Sequence, residues 1–450
     1  MKSVTETGLP PCNHTPEKYC GPSKDEVLRL RKSYCNPAVF TYYKEPLMLV
    51  EGYMQYLFDE TGRRYLDLLG GIVTVSCGHS HPKILARTKE QLERLQHSTT
   101  IYLHPLMGEL AQKLAKKLPP GLDVTYFVNS GSEANDLAVL MARLHTGNWD
   151  ILAQKNGYHG GSFSAMGLTS HHTWKFPLAH GDGVKHVASP DPYRSQFSGT
   201  ADEIGEKAAL DIEETIRFSS PGKVAGFIAE PMQGVGGVTY GRGSYLKRAY
   251  EIVRKYGGVC IADEVQTGFG RTGDHYWGFE NFGVLPDIVT MAKGIGNGIP
   301  LAAVSTRREI AEKLAQRIHF NTFGGNPVSM AQGLAVLDVI EEEKLQNNSK
   351  VVGGHFIAGL QRLMESHRLI GDVRGKGLML AVEFVRDRGT KEPAKEETAE
   401  VLEQLRYCGV LVGKGGLFGN VLRIKPPMCV SKADVDFALA TLDSVLKKIG

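Results

Sequence analysis

Residues 258–298 read GVCIADEVQTGFGRTGDHYWGFENFGVLPDIVTMAKGIGNG and contain two short apolar runs, each followed by a charged residue and a Gly-containing turn. The first run, GVCIA at 258–262, leads into Asp263, and the second, DIVTMA at 287–292, leads into Lys293. Continuous apolar runs of this length are typical of strands buried on both faces. Because open α/β sheets bind ligands at the carboxyl ends of their strands, we expect Asp263 and Lys293 to share one site.

Similar runs alternate with helix-like segments over residues 80–328. They include VTYFV (124–128), DILAQ (150–154) and VAGFIA (224–229), and the last of these leads into Glu230. This alternation predicts an α/β fold, with a large domain built on a mainly parallel sheet that helices cover on both faces. Glu230 is then a third charged residue at the same edge of the sheet.

The two ends of the chain predict a smaller domain. Residues 47–71 alternate apolar and polar side chains around the turn sequence at 59–62, which indicates a β-meander. From about residue 330 a long helical stretch leads into a small α+β region with strands at 377–385 and 421–426. We therefore predict three sections: an N-terminal segment, 1–79, that contributes to the small domain; the large domain, 80–328; and the rest of the small domain, 329–450.

Composition excludes several classes of protein. Among 450 residues, Lys+Arg exceed Asp+Glu by 52 − 49 = 3, too small a balance to predict binding to nucleic acid or to an anionic membrane. No apolar run approaches the ~18 residues of a membrane span. The seven cysteines include no C-x-x-C pair, which is unlike a disulfide framework or a zinc site. We expect a reducing compartment, no metal, no nucleic-acid partner and no membrane insertion.

The segment FVNSGSEAN, residues 127–135, predicts an anion site. It leads from a strand into a helix, and Ser130 and Glu133 have the spacing of a capping box. Gly147 is typical of a helix stop. Gly131 and Ser132 lie at the start of the helix, where backbone N–H groups suit a phosphate.

A second glycine motif does not predict a nucleotide site. Residues 268–273, GFGRTG, match G-x-G-x-x-G after a strand. The following residues, DHYWGF at 274–279, do not form a helical pattern, so the context of a dinucleotide fingerprint is missing.

A phosphate cradle, a strand-end carboxylate and a lysine together indicate pyridoxal phosphate. This chain also resembles the class III pyridoxal-phosphate aminotransferases over residues 40–445. The motifs that carry the resemblance are SGSEAN (130–135), YHG (158–160), ADEVQTGFGRTG (262–273), AKGIGNGIP (292–300) and NTFGGNP (321–327). The resemblance implies a fold-type I transferase.

The resemblance also implies roles for individual residues. Those at the cofactor are Lys293 at the aldehyde, Asp263 at the pyridine nitrogen, Gln266 near the phenolic oxygen, Tyr158 stacked on the ring, Gly131 and Ser132 at the phosphate, and Thr322 at the phosphate of a neighbouring subunit. Arg423 corresponds to the arginine that binds the substrate carboxylate, a task that suits guanidinium. Glu230 would neutralise Arg423 when no carboxylate is bound. His159 is interpreted as a packing residue or as one that acts through another group.

The implied activity is a ping-pong amino transfer between small amino acids and 2-oxo acids. Within the family, the branch that uses L-alanine and glyoxylate is the most similar, with pyruvate as a further acceptor and β-amino acids such as 3-aminoisobutyrate as further donors. The implied assembly is a homodimer, or a dimer of dimers, with a shared site. The implied location is the mitochondrial matrix, although residues 1–30 do not resemble a presequence, and otherwise the cytoplasm.

Three alternatives stay open at this point. The first is a phospho-lyase acting on an amino-alcohol phosphate with the same cofactor. The second is an ω-aminotransferase of the ornithine or 4-aminobutyrate type. The third is a non-catalytic relative, which the presence of both Lys293 and Asp263 argues against.

Overall fold

The computed structural model describes residues 8–180 and 182–449. Its strands are β1 (Leu49–Tyr53), β2 (Tyr56–Asp59), β3 (Arg64–Asp67), β4 (Val124–Val128), β5 (Ile151–Gln154), β6 (Val184–Val187), β7 (Gly226–Ala229), β8 (Val259–Asp263), β9 (Ile288–Met291), β10 (Ala302–Thr306), β11 (Ile370–Lys376), β12 (Met379–Asp387), β13 (Glu392–Pro393), β14 (Val410–Leu411), β15 (Gly413–Gly415) and β16 (Val421–Ile424). Its helices are α1 (Lys24–Tyr34), α2 (Gly70–Val73), α3 (Pro82–Arg94), α4 (Pro105–Ala115), α5 (Gly131–Thr146), α6 (Phe163–Leu168), α7 (Ala201–Ser219), α8 (Tyr245–Lys255), α9 (Arg308–Leu314), α10 (Pro327–Glu342), α11 (Leu345–Ser366), α12 (Lys395–Tyr407) and α13 (Lys432–Ile449). Short 3₁₀ turns span His172–Trp174, Gly278–Phe282 and Lys293–Ile295.

A seven-stranded sheet in the order β4-β10-β9-β8-β7-β5-β6 positions the site. The neighbouring pairs from β9 to β6 run parallel. In the described part of this sheet, the antiparallel pairs are the two that β10 forms, in which Ala303 pairs with Phe127 of β4 on one side and with Met291 of β9 on the other. The predicted α/β fold with a mainly parallel sheet is confirmed. The reversal at β10 was not predicted, because an apolar run shows burial but not strand direction.

Helices bury both faces of this sheet. Side chains alternate along each strand, so Ile228 of β7 packs with α5 and α9, whereas its neighbour Phe227 packs with α7 and α8 on the opposite face. Every residue of β5, β7, β8, β9 and β10 is buried. Burial on both faces explains why these strands read as continuous apolar runs instead of alternating ones.

Helix α5 begins and ends where the sequence predicts. The Ser130 hydroxyl accepts a hydrogen bond from Glu133 N at 3.2 Å, and Gly147 ends the helix with a φ of +69°. The capping box is only half formed, because the Glu133 carboxylate accepts from the backbone N of Asn129, at 2.9 Å, and not from that of Ser130. The first turn of α5 is therefore fixed from both the Ser130 hydroxyl and the Asn129 backbone.

The two ends of the chain meet in one of the smaller sheets. The predicted meander is confirmed as β1, β2 and β3, which pair antiparallel in sequence order. β14, from near the C-terminus, adds to β3 in parallel and completes a four-stranded sheet. A further sheet has the order β11-β12-β16-β15, with β13 paired to β12. Within residues 8–180 and 182–449, none of the helices combines the length and apolar character needed to cross a bilayer.

The turn at residues 268–273 leads into the 3₁₀ turn Gly278–Phe282 instead of a helix. The buried Glu264 holds this connection, since its carboxylate accepts from Gly278 N at 2.8 Å and from Phe279 N at 2.7 Å. This local structure agrees with the exclusion of a dinucleotide-binding motif.

Candidate active site

The charged strand ends converge on one cavity, at the carboxyl ends of β7, β8 and β9 and the N-terminus of α5. Its lining residues are Gly131, Ser132, Asn135, Tyr158, His159, Gly160, Glu230, Asp263, Val265, Gln266 and Lys293. Most of the residues predicted from the sequence are therefore brought together. Thr322 and Arg423 are not among the lining residues, and their positions are described separately below.

The start of α5 forms a cradle for an anion. Gly131 and Ser132 are the first two residues of the helix, so their N–H groups have no acceptor within it. The Ser132 hydroxyl is fixed beside them, because it accepts from Gly161 N at 3.0 Å. Gly160, with a φ of +133°, packs so closely that a Cβ there would lie 2.4 Å from Ser132 Oγ. Backbone N–H groups, a hydroxyl and the positive end of the helix dipole suit a phosphate dianion.

Asp263, at the end of β8, is a buried carboxylate with fixed partners. Its Oδ2 accepts from His159 Nδ1 at 2.8 Å and from Asn135 Nδ2 at 2.9 Å, and its Oδ1 accepts from Val265 N at 3.1 Å. Burial alone would raise the pKa of Asp263, but the hydrogen bonds from His159 and Asn135 outweigh it and hold the pKa below its ordinary value. Asp263 therefore presents a negative charge to the cavity.

The two partners of Asp263 differ in how visible they are in the sequence. His159 was noted only as a packing or indirectly acting residue, and the structure places its ring against Asp263 with the side chain fully buried. Asn135 was not singled out. Its Oδ1 accepts from the Thr290 hydroxyl at 2.7 Å, which orients its amide toward Asp263. Asn135 lies four residues after Gly131, one helical turn, and this spacing could have indicated a shared face.

Lys293 follows β9 and reaches the cavity from a strained backbone. Its φ is +47°, in the left-handed region that side chains rarely adopt, which costs on the order of 1–3 kcal/mol. Burial lowers the pKa of its ammonium group, although the charges of Asp263 and Glu230 oppose this effect. A buried lysine with a lowered pKa is a better nucleophile and base than an exposed one.

Glu230, after β7, ties two backbone segments to the cavity. One carboxylate oxygen accepts from Tyr158 N at 2.9 Å and the other accepts from Gly234 N at 2.7 Å. Burial raises the pKa of Glu230, and the nearby charge of Asp263 adds to this effect. The neutralising contact between Glu230 and Arg423 stays a prediction, since both Glu230 oxygens hold backbone amides here.

Arg423 lies on β16, next to the cavity. It is buried, and its Nε donates to the carbonyl of Lys414 at 3.1 Å. Burial lowers the pKa of Arg423, while Tyr42 and Glu230 act to raise it. Its charge also lowers the pKa of Lys293.

Thr322 is exposed, in a turn beside the cradle of its own chain. The side chain of the preceding Asn321 accepts from Asn129 Nδ2 at 2.9 Å and donates to Glu133 Oε2 at 3.1 Å. The turn is thus fixed to the start of α5, although Thr322 does not line the cavity of the same chain.

The described residues fit one kind of ligand. The cradle at Gly131 and Ser132 suits a phosphate, and Asp263 suits a protonated ring nitrogen. Tyr158 offers an aromatic face, and Lys293 offers an amine with a lowered pKa to an aldehyde. The cavity therefore has the chemistry to hold a phosphorylated pyridine aldehyde.

Sequence comparisons find a family and curated relatives. The sequence profile of the family "Aminotransferase class-III" matches residues 41–446. A protein of Arabidopsis thaliana, "Alanine--glyoxylate aminotransferase 2 homolog 2, mitochondrial", is 52% identical over 441 residues, covering 98% of this chain and 91% of the relative. The human "Alanine--glyoxylate aminotransferase 2, mitochondrial" is 46% identical over 462 residues, covering 98% and 90%.

Solved structures share the fold over nearly the whole chain. A thermostable (S)-enantioselective omega-transaminase from Thermomicrobium roseum superposes with a TM-score of 0.88 at 34% identity, covering 94% of this chain and 98% of that one. A phospholyase from Arthrobacter in complex with phosphoethanolamine has a TM-score of 0.87 at 32% identity, covering 94% and 99%. An amine transaminase from an uncultivated Pseudomonas species, solved in a PLP-bound form, has a TM-score of 0.86 at 30% identity, covering 93% and 99%.

Proposed function

Because this chain belongs to the class-III aminotransferase family, we propose that it transfers the amino group of L-alanine to glyoxylate with pyridoxal phosphate as cofactor. The aminotransferase activity follows from the family, and the choice of substrates rests on the names of the two curated relatives. The observation that carries the proposal is the convergence of Lys293, Asp263 and the α5 cradle on one cavity. Pyruvate as acceptor and β-amino acids such as 3-aminoisobutyrate as donors belong to the same proposal.

The residues that would hold the cofactor each have one task. Gly131 and Ser132 would bind its phosphate, Asp263 would keep its ring nitrogen protonated, Tyr158 would pack on its ring, and Gln266 would meet its phenolic oxygen. When bound, pyridoxal phosphate supplies an electron sink for the negative charge left on the substrate α-carbon.

Lys293 carries two tasks in turn. With the cofactor bound, Lys293 would hold it at the aldehyde, and its amine would serve as the base at the substrate α-carbon. The lowered pKa of Lys293 increases the fraction of neutral amine, which both tasks require. Asp263, on the next strand, stays charged throughout because His159 and Asn135 donate to it.

The proposal is tested by one half-reaction. The protein is loaded with pyridoxal phosphate, excess cofactor is removed, and L-alanine alone is added while the visible absorption band is followed. We expect the band to bleach with one equivalent of pyruvate per site and turnover to begin only when glyoxylate is added, as ping-pong transfer requires. An unchanged band with catalytic release of phosphate from O-phosphoethanolamine would instead establish a phospho-lyase.

Arg423 is proposed to bind the substrate carboxylate. Replacing it with methionine is expected to raise KM for L-alanine about 10- to 100-fold, because a charge-assisted hydrogen bond contributes on the order of 1.5–3 kcal/mol. Steady-state kinetics with isopropylamine, a donor without a carboxylate, provide the control and should give the same kcat/KM in both proteins. Equal losses with both donors would show that Arg423 acts on the fold and not on the carboxylate.

A homodimer with a shared site is the proposed assembly. Two neighbouring segments, 101–103 and 318–323, expose large apolar side chains, and the second segment contains Thr322. The exposed side chains are Ile101, Tyr102, Leu103, Ile318, Phe320 and Phe323. The segments touch, since Asn326 Nδ2 lies 2.9 Å from His97 Nδ1. Exposed apolar patches of this kind mark protein interfaces, and an interface here would bring Thr322 to a second subunit.

If the protein is a dimer, sedimentation equilibrium should give a mass of at least twice the 49.3 kDa of one chain. Replacing Phe323 with aspartate should shift the population toward monomer and, in the same variant, weaken the binding of pyridoxal phosphate. A fully active monomer would contradict a shared site.

The proposed location is the mitochondrial matrix, because both curated relatives are named as mitochondrial. Imaging of a C-terminal fluorescent fusion checks this, and a purely cytosolic signal would contradict it.

A further inference from the structure

Lys425, one residue beyond β16, is a buried lysine that the roles described above do not use. Its side chain is 1% exposed, and lysine is almost never fully buried unless its amine is paired. Burial places the pKa of Lys425 well below its ordinary value, and the positive charge of Arg423 adds to this effect. The charged groups facing it are Glu230, Lys293 and Arg271, in addition to Arg423.

The Lys425 amine has two fixed acceptors. Its Nζ donates to Gln266 Oε1 at 2.8 Å and to the carbonyl of Gly234 at 3.1 Å. The Gly234 N–H in turn donates to Glu230, so Lys425 contacts the same residue that positions this carboxylate, through the next peptide group. The contacts join β16 to the loops that follow β7 and β8.

These contacts determine which way the Gln266 amide faces. The Lys425 amine keeps N–H groups to donate whether or not it is protonated, and the atom of Gln266 that lies 2.8 Å from it is the oxygen. Gly234 packs against the amide so closely that a Cβ there would lie 2.2 Å from Gln266 Oε1. With the oxygen held by Lys425, the amide N–H group is left for the cavity that Gln266 lines.

We propose that Lys425 is a positioning residue of the cofactor site, which fixes Gln266 so that the amide donates to the anionic phenolic oxygen of the cofactor. This inference rests on the proposed function. Without Lys425 the amide can turn over and present its oxygen to that site, which disfavours the phenolate and raises the pH at which it forms. The effect of Lys425 is therefore transmitted through Gln266.

The test compares Lys425→Met, Gln266→Leu, the double variant, and Lys376→Met as a lysine control on β11, away from the cavity. Each protein is loaded with pyridoxal phosphate, and the visible absorption is titrated with pH. We expect the midpoint of this absorption titration to rise by about one pH unit, a tenfold change in proton affinity, in Lys425→Met and in Gln266→Leu. The double variant should show no further rise, and Lys376→Met should match the wild type.

Two further measurements separate positioning from folding. Thermal unfolding of the cofactor-free proteins reports stability, and equilibrium dialysis reports the Kd for pyridoxal phosphate. A lower Tm with an unmoved pH midpoint, or shifts that add in the double variant, would overturn the inference. If Lys425→Met does not fold, Gly234→Ala displaces the same amide, because a Cβ there would lie 2.2 Å from its oxygen and 2.3 Å from its nitrogen. This variant should raise the midpoint in the same way, and an unmoved midpoint there would overturn the inference equally. A wild-type protein without any visible band would instead overturn the proposed function, and the inference with it.

Discussion

Replacing Lys293 with alanine is expected to lower kcat for transfer from L-alanine to glyoxylate by at least ~1,000-fold. The variant loses both the amine that attaches to the cofactor aldehyde and the base that removes the α-proton. Alanine keeps the Cβ and therefore the strain of the left-handed backbone at φ +47°. The change removes a buried amine without opening a polar contact in the fold, so we expect the Tm of the cofactor-free protein not to fall.

Stopped-flow mixing of the loaded variant with L-alanine measures this loss directly. The matched control is Lys376→Ala, which removes a lysine that does not line the cavity and should retain wild-type kcat. Turnover by Lys293→Ala within tenfold of the wild type would show that another group is the base.

Asp263→Asn is expected to lower kcat by about 100- to 1,000-fold and to weaken binding of pyridoxal phosphate. An amide cannot carry the charge that keeps a ring nitrogen protonated, so the electron sink is weakened. The new NH₂ group must also face one of the donors around it, which are His159 Nδ1, Asn135 Nδ2 and Val265 N. An unmatched buried donor costs on the order of 1–3 kcal/mol, so part of the loss will appear as lower stability.

Measuring kcat at saturating pyridoxal phosphate separates the loss of catalysis from the weaker binding of the cofactor. Asp274→Asn, at an exposed carboxylate that pairs with Lys350 and Lys376, is the control for removing a negative charge. The assignment of Asp263 fails if Asp263→Asn keeps wild-type kcat once the cofactor is saturating.

The sequence could predict the strand-end residues, because their position depends on local pattern alone. Each of β7, β8 and β9 lies in a mostly apolar run, and the charged residue at the end of that run lies at the shared edge of the sheet. Asp263 and Lys293 could therefore be placed together without a structure, while Gln266, Tyr158 and Thr322 needed the family resemblance.

Contacts between distant parts of the chain could not be predicted in this way. Asn135 is 128 residues from Asp263, and Lys425 is 159 residues from Gln266. The lysine in the segment VLRIKPP reads as an ordinary surface residue, since nothing local shows that its neighbours bury it. The direction of β10 could not be predicted for the same reason, because it depends on the strands with which β10 pairs.

The strand order also determines when the site can exist during synthesis. β4 carries the phosphate cradle at its end, yet its partner in the sheet is β10, which begins 302 − 128 = 174 residues later. A nascent chain that has reached Lys293 still lacks the strand that joins the cradle to the lysine, and Arg423 and Lys425 emerge later still. Because pairing over such separations is slow, an emerging chain exposes the edges of β4 and β9 until Thr306 has left the ribosome. Cofactor capture is thus a late event that requires at least the first 306 of the 450 residues.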